Sequence, residues 1–320
     1  VKLANILGQE RAIKRLKPML TTRQAPTSLL FKGPRGVGKG TAALLFAKAL
    51  NCTQAKLDPC NRCESCLSTD KGVDADIHFV DAAYQAALRG EEEGKQRVLR
   101  VDTVRHVARS LEMRSLLGRW KVAILDNAHT LVPEAANAIL KALEEPPPKT
   151  LWILTTHRPF DLLATVRSRC QAVTFSPLSE DKIIDVLEQL AINKNDAKAA
   201  APLAEGSVRR ALELIEDPQS DPDEWIHDPL GPMRLAEALP RELHKSRPAA
   251  LEQLHRMGWY IRRERGTNGY ALAPVRTVMR ELSDLRRALR SNADPRLVLT
   301  VAGLRLQQLK SAITPTGTTP

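Results

Sequence analysis

The first apolar positions repeat at helical spacing: Ala12, Ile13, Leu16 and Leu20 fall on one face of a segment opening after Gln9 and Glu10. The short apolar run 28–31 then predicts a strand, and the alanine- and leucine-rich stretch 42–50 a helix. Ile77, Phe79 and Val80 predict a second strand within 76–81, and Val101, Val104, Val107, Ala108 and Leu111 a helix over 101–111. Between them, residues 84–100, with the charged run Arg89-Gly90-Glu91-Glu92-Glu93-Gly94-Lys95, read as a solvated surface excursion. The run from Lys121 to Leu125 is an apolar strand ending at Asp126. Ala136, Ile139, Leu140 and Leu143 predict a helix over 134–145, stopped by Pro146-Pro147-Pro148. Residues 151–156 predict the next strand, and 162–170 lead into another through Val173 and Phe175. Strands alternating with helices predict a parallel sheet covered on both faces.

From Pro177 the strand signals stop. Ser179 and Ser207 stand at N-cap positions of two helices, the first carrying Ile183, Ile184, Leu187 and Leu190, the second Ala211, Leu212 and Ile215. A proline- and acid-rich stretch near 217–232 reads as a linker. The rest is helical, with Val275, Val278, Met279, Leu282, Leu285 and Leu289 in one stripe, a last helix opening at Asp294-Pro295, and a tail, 314–320, without ordering signals. The expected organisation is an α/β P-loop domain over 1–176 with an insert at 52–66, a small helical lid over 177–217, a linker over 218–232 and an all-α domain over 233–320.

Composition adds little to that picture except at two points. Lys and Arg number 48 against 37 Asp and Glu, a balance of +11 that favours polyanionic partners. Four of the five cysteines are crowded into 52–66, which reads as a metal site in a reducing compartment rather than a disulfide framework. No run is long and apolar enough for a membrane span and the first residues lack a signal-peptide core, so the expected location is the cytoplasm.

The candidate chemistry begins at 33–41, Gly-Pro-Arg-Gly-Val-Gly-Lys-Gly-Thr, between predicted strand and predicted helix. That is the setting of a phosphate-cradling P-loop. Gly33, Gly36, Gly38 and Gly40 let backbone N–H groups turn inward on an anion, the helix N-terminus adds partial positive charge, and Lys39 reaches the outer phosphates. Asp126, at a strand end, is placed to hold magnesium through water, and Thr155 to sense a phosphate or water. A second acid usually follows that Asp in hydrolases of this type, but here the residue is Asn127, which cannot accept a proton. Cys52, Cys60, Cys63 and Cys66, spaced by seven, two and two residues, suit a tetrahedral structural zinc. An iron–sulfur cluster is the alternative, although the ferredoxin run ends in Cys-Pro and this one does not.

Residues 1 to about 215 resemble the AAA+ module of bacterial DNA polymerase III clamp loaders. The resemblance is carried by 33–41, the cysteine knuckle, 124–129, 135–147 with its Leu143-Glu144-Glu145-Pro146-Pro147, and Ser168-Arg169-Cys170. It implies that Arg169 acts as an arginine finger on ATP held by a neighbouring subunit. It also implies that Gly206-Ser207-Val208-Arg209 is a second sensor, with Arg209 turned to a phosphate, and that 233–320 form the collar. Implied partners are the gamma/tau and delta subunits in a hetero-pentameric ring, a sliding clamp and primed DNA. The motor branch, gamma/tau, carries Ser or Thr after the P-loop lysine and an acid after the magnesium Asp. Gly40 and Asn127 depart from both, although Thr41 partly covers the first. The resemblance is therefore closer to the stator branch, delta-prime: ATP or ADP with Mg2+ can bind, and self-catalysed hydrolysis is not expected. The alternatives are a motor-type ATPase and, from Gly-Lys-Gly-Thr, a small-molecule kinase of the nucleoside monophosphate type.

Overall fold

A five-stranded sheet of order β2-β3-β4-β1-β5, parallel throughout, organises the first of two units, Val1–Ser179 and Glu180–Pro320. The computed structural model describes residues 6–54, 57–113, 115, 119–216, 223–268 and 272–313. The expected unstructured tail 314–320 lies outside them.

In the first unit α1 (Glu10–Thr22) precedes β1 (Ser28–Lys32), α2 (Lys39–Asn51) and α3 (Glu64–Asp70). Then come β2 (Ile77–Val80), α4 (Ala82–Arg89), α5 (Val101–Glu112), β3 (Lys121–Leu125), α6 (Pro133–Glu144), β4 (Thr150–Thr156), α7 (Ala164–Arg169) and β5 (Gln171–Thr174). Because side chains alternate across a strand, Leu30, Ala123, Leu125, Trp152 and Leu154 enter one core, shared with Val104 and Val107 of α5, Ile139 of α6 and Val166 of α7. Their strand neighbours Leu29, Phe31, Ile124 and Ile153 face the other way and are equally buried. Helix α2 packs across β1, β2, β3 and β4. It is buried on nearly every side, as its lack of a polar stripe requires. The layered α/β architecture expected from the alternation is the one observed.

The chain jumps from β1 at one side of β4 to β2 at the far edge, so the carboxyl ends of β1, β3 and β4 adjoin at a reversal of strand order. Such a crevice is where open α/β sheets hold ligands.

One expectation is corrected. Much of 84–100 is ordered rather than a solvated excursion: α4 begins after Asp81, whose carboxylate accepts from Tyr84 N, and ends at Gly90 in the left-handed region (φ 64°). Gln85 is fully buried there, donating to Val98 O and Gln96 Oε1 and accepting from Arg100 N and Thr103 Oγ1. The charged run hid this helix because the residues that cap and fasten it are themselves polar.

The second unit is all helical: α8 (Glu180–Gln189), α9 (Lys194–Ala200), α10 (Val208–Glu216), α11 (Asp223–Ile226), α12 (Gly231–Glu237), α13 (Leu243–Asn268), α14 (Leu272–Arg290) and α15 (Pro295–Ile313). Ser207 Oγ accepts from Arg210 N at the start of α10, the cap expected from the sequence. Of the stretch 218–232, residues 218–222 lie outside the described residues, and helix occupies Asp223–Ile226 and begins again at Gly231. Helices expected for the lid and for the collar pack together in this unit, α13 lying against α9 and α10 as well as α14 and α15.

Candidate functional site: a P-loop pocket and a cysteine knuckle

The loop between β1 and α2 is shaped by its glycines. Gly33 has φ 154° and its amide bonds Thr156 O, so a Cβ at this position would lie 2.3 Å from Phe175 O. Gly36 and Gly38 also have positive φ, 73° and 89°, and a Cβ on Gly38 would meet nothing within 4 Å. The first glycine is thus required by close backbone packing, the third by conformation beside open space. Such a turn aims successive N–H groups at an anion above the N-terminus of α2. Thr41 is exposed in the first turn of that helix.

Lys39 is 8% exposed and its ammonium folds back on the loop, donating to Gly33 O at 3.0 Å and Pro34 O at 2.6 Å. Burial lowers it to about 8, with Asp126 pulling the other way. It is a buried cation already in contact with the cradle it would share with phosphates.

Asp126 follows β3 and receives two hydrogen bonds, from Thr155 Oγ1 (2.6 Å) to Oδ1 and from Asn127 Nδ2 (2.8 Å) to Oδ2. The Thr155 hydroxyl in turn accepts from Asn127 N at 3.2 Å. Asn127 sits in the left-handed region, φ 52°, a conformation asparagine tolerates better than most residues. A Cβ on Gly40 would lie 3.4 Å from Asp126 Oδ1 and from Phe79 Cζ, so α2 runs close beside the carboxylate. The fold therefore brings Gly33, Gly36, Gly38, Lys39, Gly40, Thr41, Asp126 and Thr155 to one crevice.

Arg169 and Arg209 are each paired with a glutamate. Arg169 closes α7, its guanidinium donating to Glu144 Oε1 at 2.6 Å and Thr165 O at 3.0 Å, with the side chain 38% exposed. Arg209 lies in the second unit, on the exposed face of α10, paired with Glu213 at 3.1 Å. Sequence reasoning missed Gln9, which is 3% exposed. Its amide donates to Ser176 O and accepts from Ser176 N, and it reaches Val37 O of the P-loop at 3.5 Å. The signal was slight: one amide just ahead of the first helix.

Cys52 follows the end of α2, Cys63 caps α3 and Cys66 lies within it, and with Cys60 their sulfurs all fall within 4.8 Å of one another. Cys60 Sγ and Cys66 Sγ are 3.9 Å apart. Four thiolates about 2.3 Å from a tetrahedral zinc are separated by about 3.8 Å, so the donor set fits that ion. Cys60 N points to Cys52 Sγ (3.4 Å) and Cys63 N to Cys60 Sγ (3.3 Å), bonds that favour thiolate ligands. Burial resists ionisation of both Cys63 and Cys66, but hydrogen bonds from Thr53 and Cys66 bring Cys63 down, whereas Cys66 is pushed up. The knuckle is tied to α2 and its surroundings by Lys48, bonded to Asn61 and Asp70, and by Arg23, bonded to Leu50 O and Cys52 O.

A sheet of this order, with a P-loop after β1, the strand beside central β4, and an acid after β3, defines an AAA+-type P-loop module. A profile of the family described as "DNA polymerase III, delta subunit" matches residues 8–179, and the chain belongs to that family. DNA polymerase III subunit tau of Bacillus subtilis is 34% identical over 223 residues, which are 67% of this chain and 37% of that protein. Subunit tau of Escherichia coli is 32% identical over 220 residues, 67% of this chain and 32% of that protein. The chain thus spans about a third of the length of these relatives. A DNA polymerase III gamma subunit-related protein of Thermotoga maritima superimposes with a TM-score of 0.43 at 17% identity, over 93% of this chain and 99% of that one. No described helix is long and apolar enough to cross a membrane.

Proposed function

We propose that this chain is a clamp-loader subunit of the delta-prime, or stator, type. On this reading it binds ATP or ADP with Mg2+ in the P-loop crevice, hydrolyses it poorly, and lends Arg169 to the nucleotide of a neighbouring subunit. The observation that carries the reading is the contact between Asn127 Nδ2 and Asp126 Oδ2. A water-polarising carboxylate would have to accept a proton, whereas an amide nitrogen directed at the magnesium acid only donates. Family membership supports the clamp-loader part. The exposed guanidinium at the end of α7 supports the finger, because a group that serves another chain must be reachable from outside.

In this proposal Gly33, Gly36, Gly38, Lys39 and Thr41 hold the phosphates, Asp126 orders magnesium-bound water, Thr155 fixes that carboxylate, and Arg209 meets a phosphate as the second sensor. Cys52, Cys60, Cys63 and Cys66 hold a structural zinc. The lid, over 177–217, and collar, over 233–320, serve ring assembly with gamma/tau and delta subunits, and the ring places a sliding clamp on primed DNA in the cytoplasm.

A second reading, the motor-type ATPase, draws on the complete P-loop with Lys39 and on the identity to tau subunits. ATP turnover by the purified chain separates the two. The stator reading expects turnover near background, and robust turnover abolished by Lys39→Ala would replace it with the motor reading.

A further inference from the structure

Two histidines stand beside the crevice and play no part in the account above. His157 follows β4 directly. The last residue of that strand, Thr156, is in register with Lys32 and accepts the Gly33 amide, so His157 leaves the sheet next to the start of the P-loop. His129 approaches from the turn after β3. Its Nδ1 lies 3.3 Å from Thr156 Oγ1, and that hydroxyl also accepts from Arg158 N at 3.0 Å. The two rings meet edge to face with centroids 4.3 Å apart, and both side chains are partly buried.

The charges facing the pair come from three elements. Arg35 and Lys39 belong to the P-loop, Asp126 to the end of β3, and Arg158 and Asp161 to the turn after β4. Asp161 is paired with Arg158 at 2.8 Å, and both oxygens of Asp126 are taken by Thr155 and Asn127. Two adjoining imidazoles set among three cations make poor structural partners for each other once either is charged. An anion placed between them and the P-loop reverses that sign, because each positive group then has something to neutralise.

We propose that His157, braced edge-on by His129, is a phosphate-contacting residue of this pocket, binding the terminal phosphate of a nucleoside triphosphate as an imidazolium. The proposal rests on the nucleotide reading above. Burial first, then the neighbouring cations, holds both rings below the ordinary histidine range when no anion is present. Neutral His157 therefore gains one proton from solvent as the triphosphate binds, and releases it when the terminal phosphate leaves.

The test is titration calorimetry of the full chain with ATP and with ADP, at saturating magnesium, in buffers of different ionisation enthalpy between pH 6 and 7.5. We expect uptake of about one proton with ATP and none with ADP, and ATP affinity falling toward about tenfold per pH unit as pH rises. His157→Asn is expected to abolish the uptake and to weaken ATP about tenfold at pH 6.5, leaving ADP unchanged. Equal, flat profiles for the two nucleotides in the wild-type chain would overturn the histidine assignment while leaving the nucleotide site in place. No binding of either nucleotide at any pH would overturn the nucleotide reading, and this inference with it. The wild-type measurement decides even if the variant does not fold. Titration of Lys39 lies above this window, near 8 in the free protein, and acts on both nucleotides.

Discussion

Asn127 Nδ2 donates to Asp126 Oδ2 at 2.8 Å while Thr155 Oγ1 holds the other oxygen of the same carboxylate at 2.6 Å. The acid that would order magnesium is satisfied on both sides by neutral donors. An acid at 127 would face that carboxylate with like charge and leave one of its oxygens unpaired. On the proposed reading, the pocket holds an occupant in place without drawing water into attack.

Replacing the amide supplies what is missing. A positioned general base contributes about 10²–10⁴-fold, and a left-handed glutamate costs about 1–2 kcal/mol, so the gain should fall at the low end. Asn127→Glu is expected to raise ATP hydrolysis by the isolated chain by about 10²-fold, with the gain lost again in the Asn127→Glu, Lys39→Ala double variant. Phosphate release assays measure it.

Two glycines of one loop should fail in different ways. Gly33→Ala drives a Cβ to 2.3 Å from Phe175 O, a backbone atom that cannot swing aside, and should cost about 2–3 kcal/mol in urea unfolding. Gly38→Ala meets no protein atom within 4 Å, so the fold should lose only about 1–2 kcal/mol, from strain at φ 89°. Nucleotide binding, measured by calorimetry, should suffer instead, because the new methyl stands where phosphate is expected.

Elemental analysis should find about one zinc per chain, and Cys66→Ser should remove it. Zinc should also leave as pH falls, since protons compete for thiolates, and the thermal midpoint should drop with metal content. Because Cys52 adjoins α2, the loss should loosen that helix, visible as faster amide exchange along 42–51. An iron spectrum in place of zinc would support the alternative cluster.

Much of the first unit was legible because its signals are local and repeated. Apolar runs mark β1, β3 and β4, and the buried residues of α1, Ala12, Ile13, Leu16 and Leu20, are those the helical spacing picks out. The P-loop and the cysteine spacing are motifs in which order along the chain already implies geometry. What escaped depends on contacts across distance. Gln85 and Gln9 are buried amides whose partners lie on other segments, and Gln9 reaches Ser176 across 167 positions. Likewise His157 gains its meaning only when β4 is set beside β1. Glu144 stood out in the sequence as part of 135–147, but its pairing with Arg169 follows only from the packing of α6 against α7.

Lys39 gives the site a pH signature in the absence of any ligand. Its ammonium titrates near 8 in the folded chain against 10.5 as its ordinary value, so between these values the unfolded chain binds more protons than the folded one. Stability should therefore rise with pH across that window, and below it the buried charge remains a fixed penalty. Urea midpoints followed from pH 7.5 to 10 should show the rise in the wild type and a smaller one in Lys39→Met.

The measurement closest to the central claim uses a reconstituted complex in which only the subunit beside this chain retains a working ATP pocket. Arginine fingers of this kind contribute about 10³–10⁵ in rate, so Arg169→Ala should slow single-turnover hydrolysis in that pocket by about 10³-fold while the complex still assembles and binds ATP. Hydrolysis at the wild-type rate in the assembled variant would contradict the account.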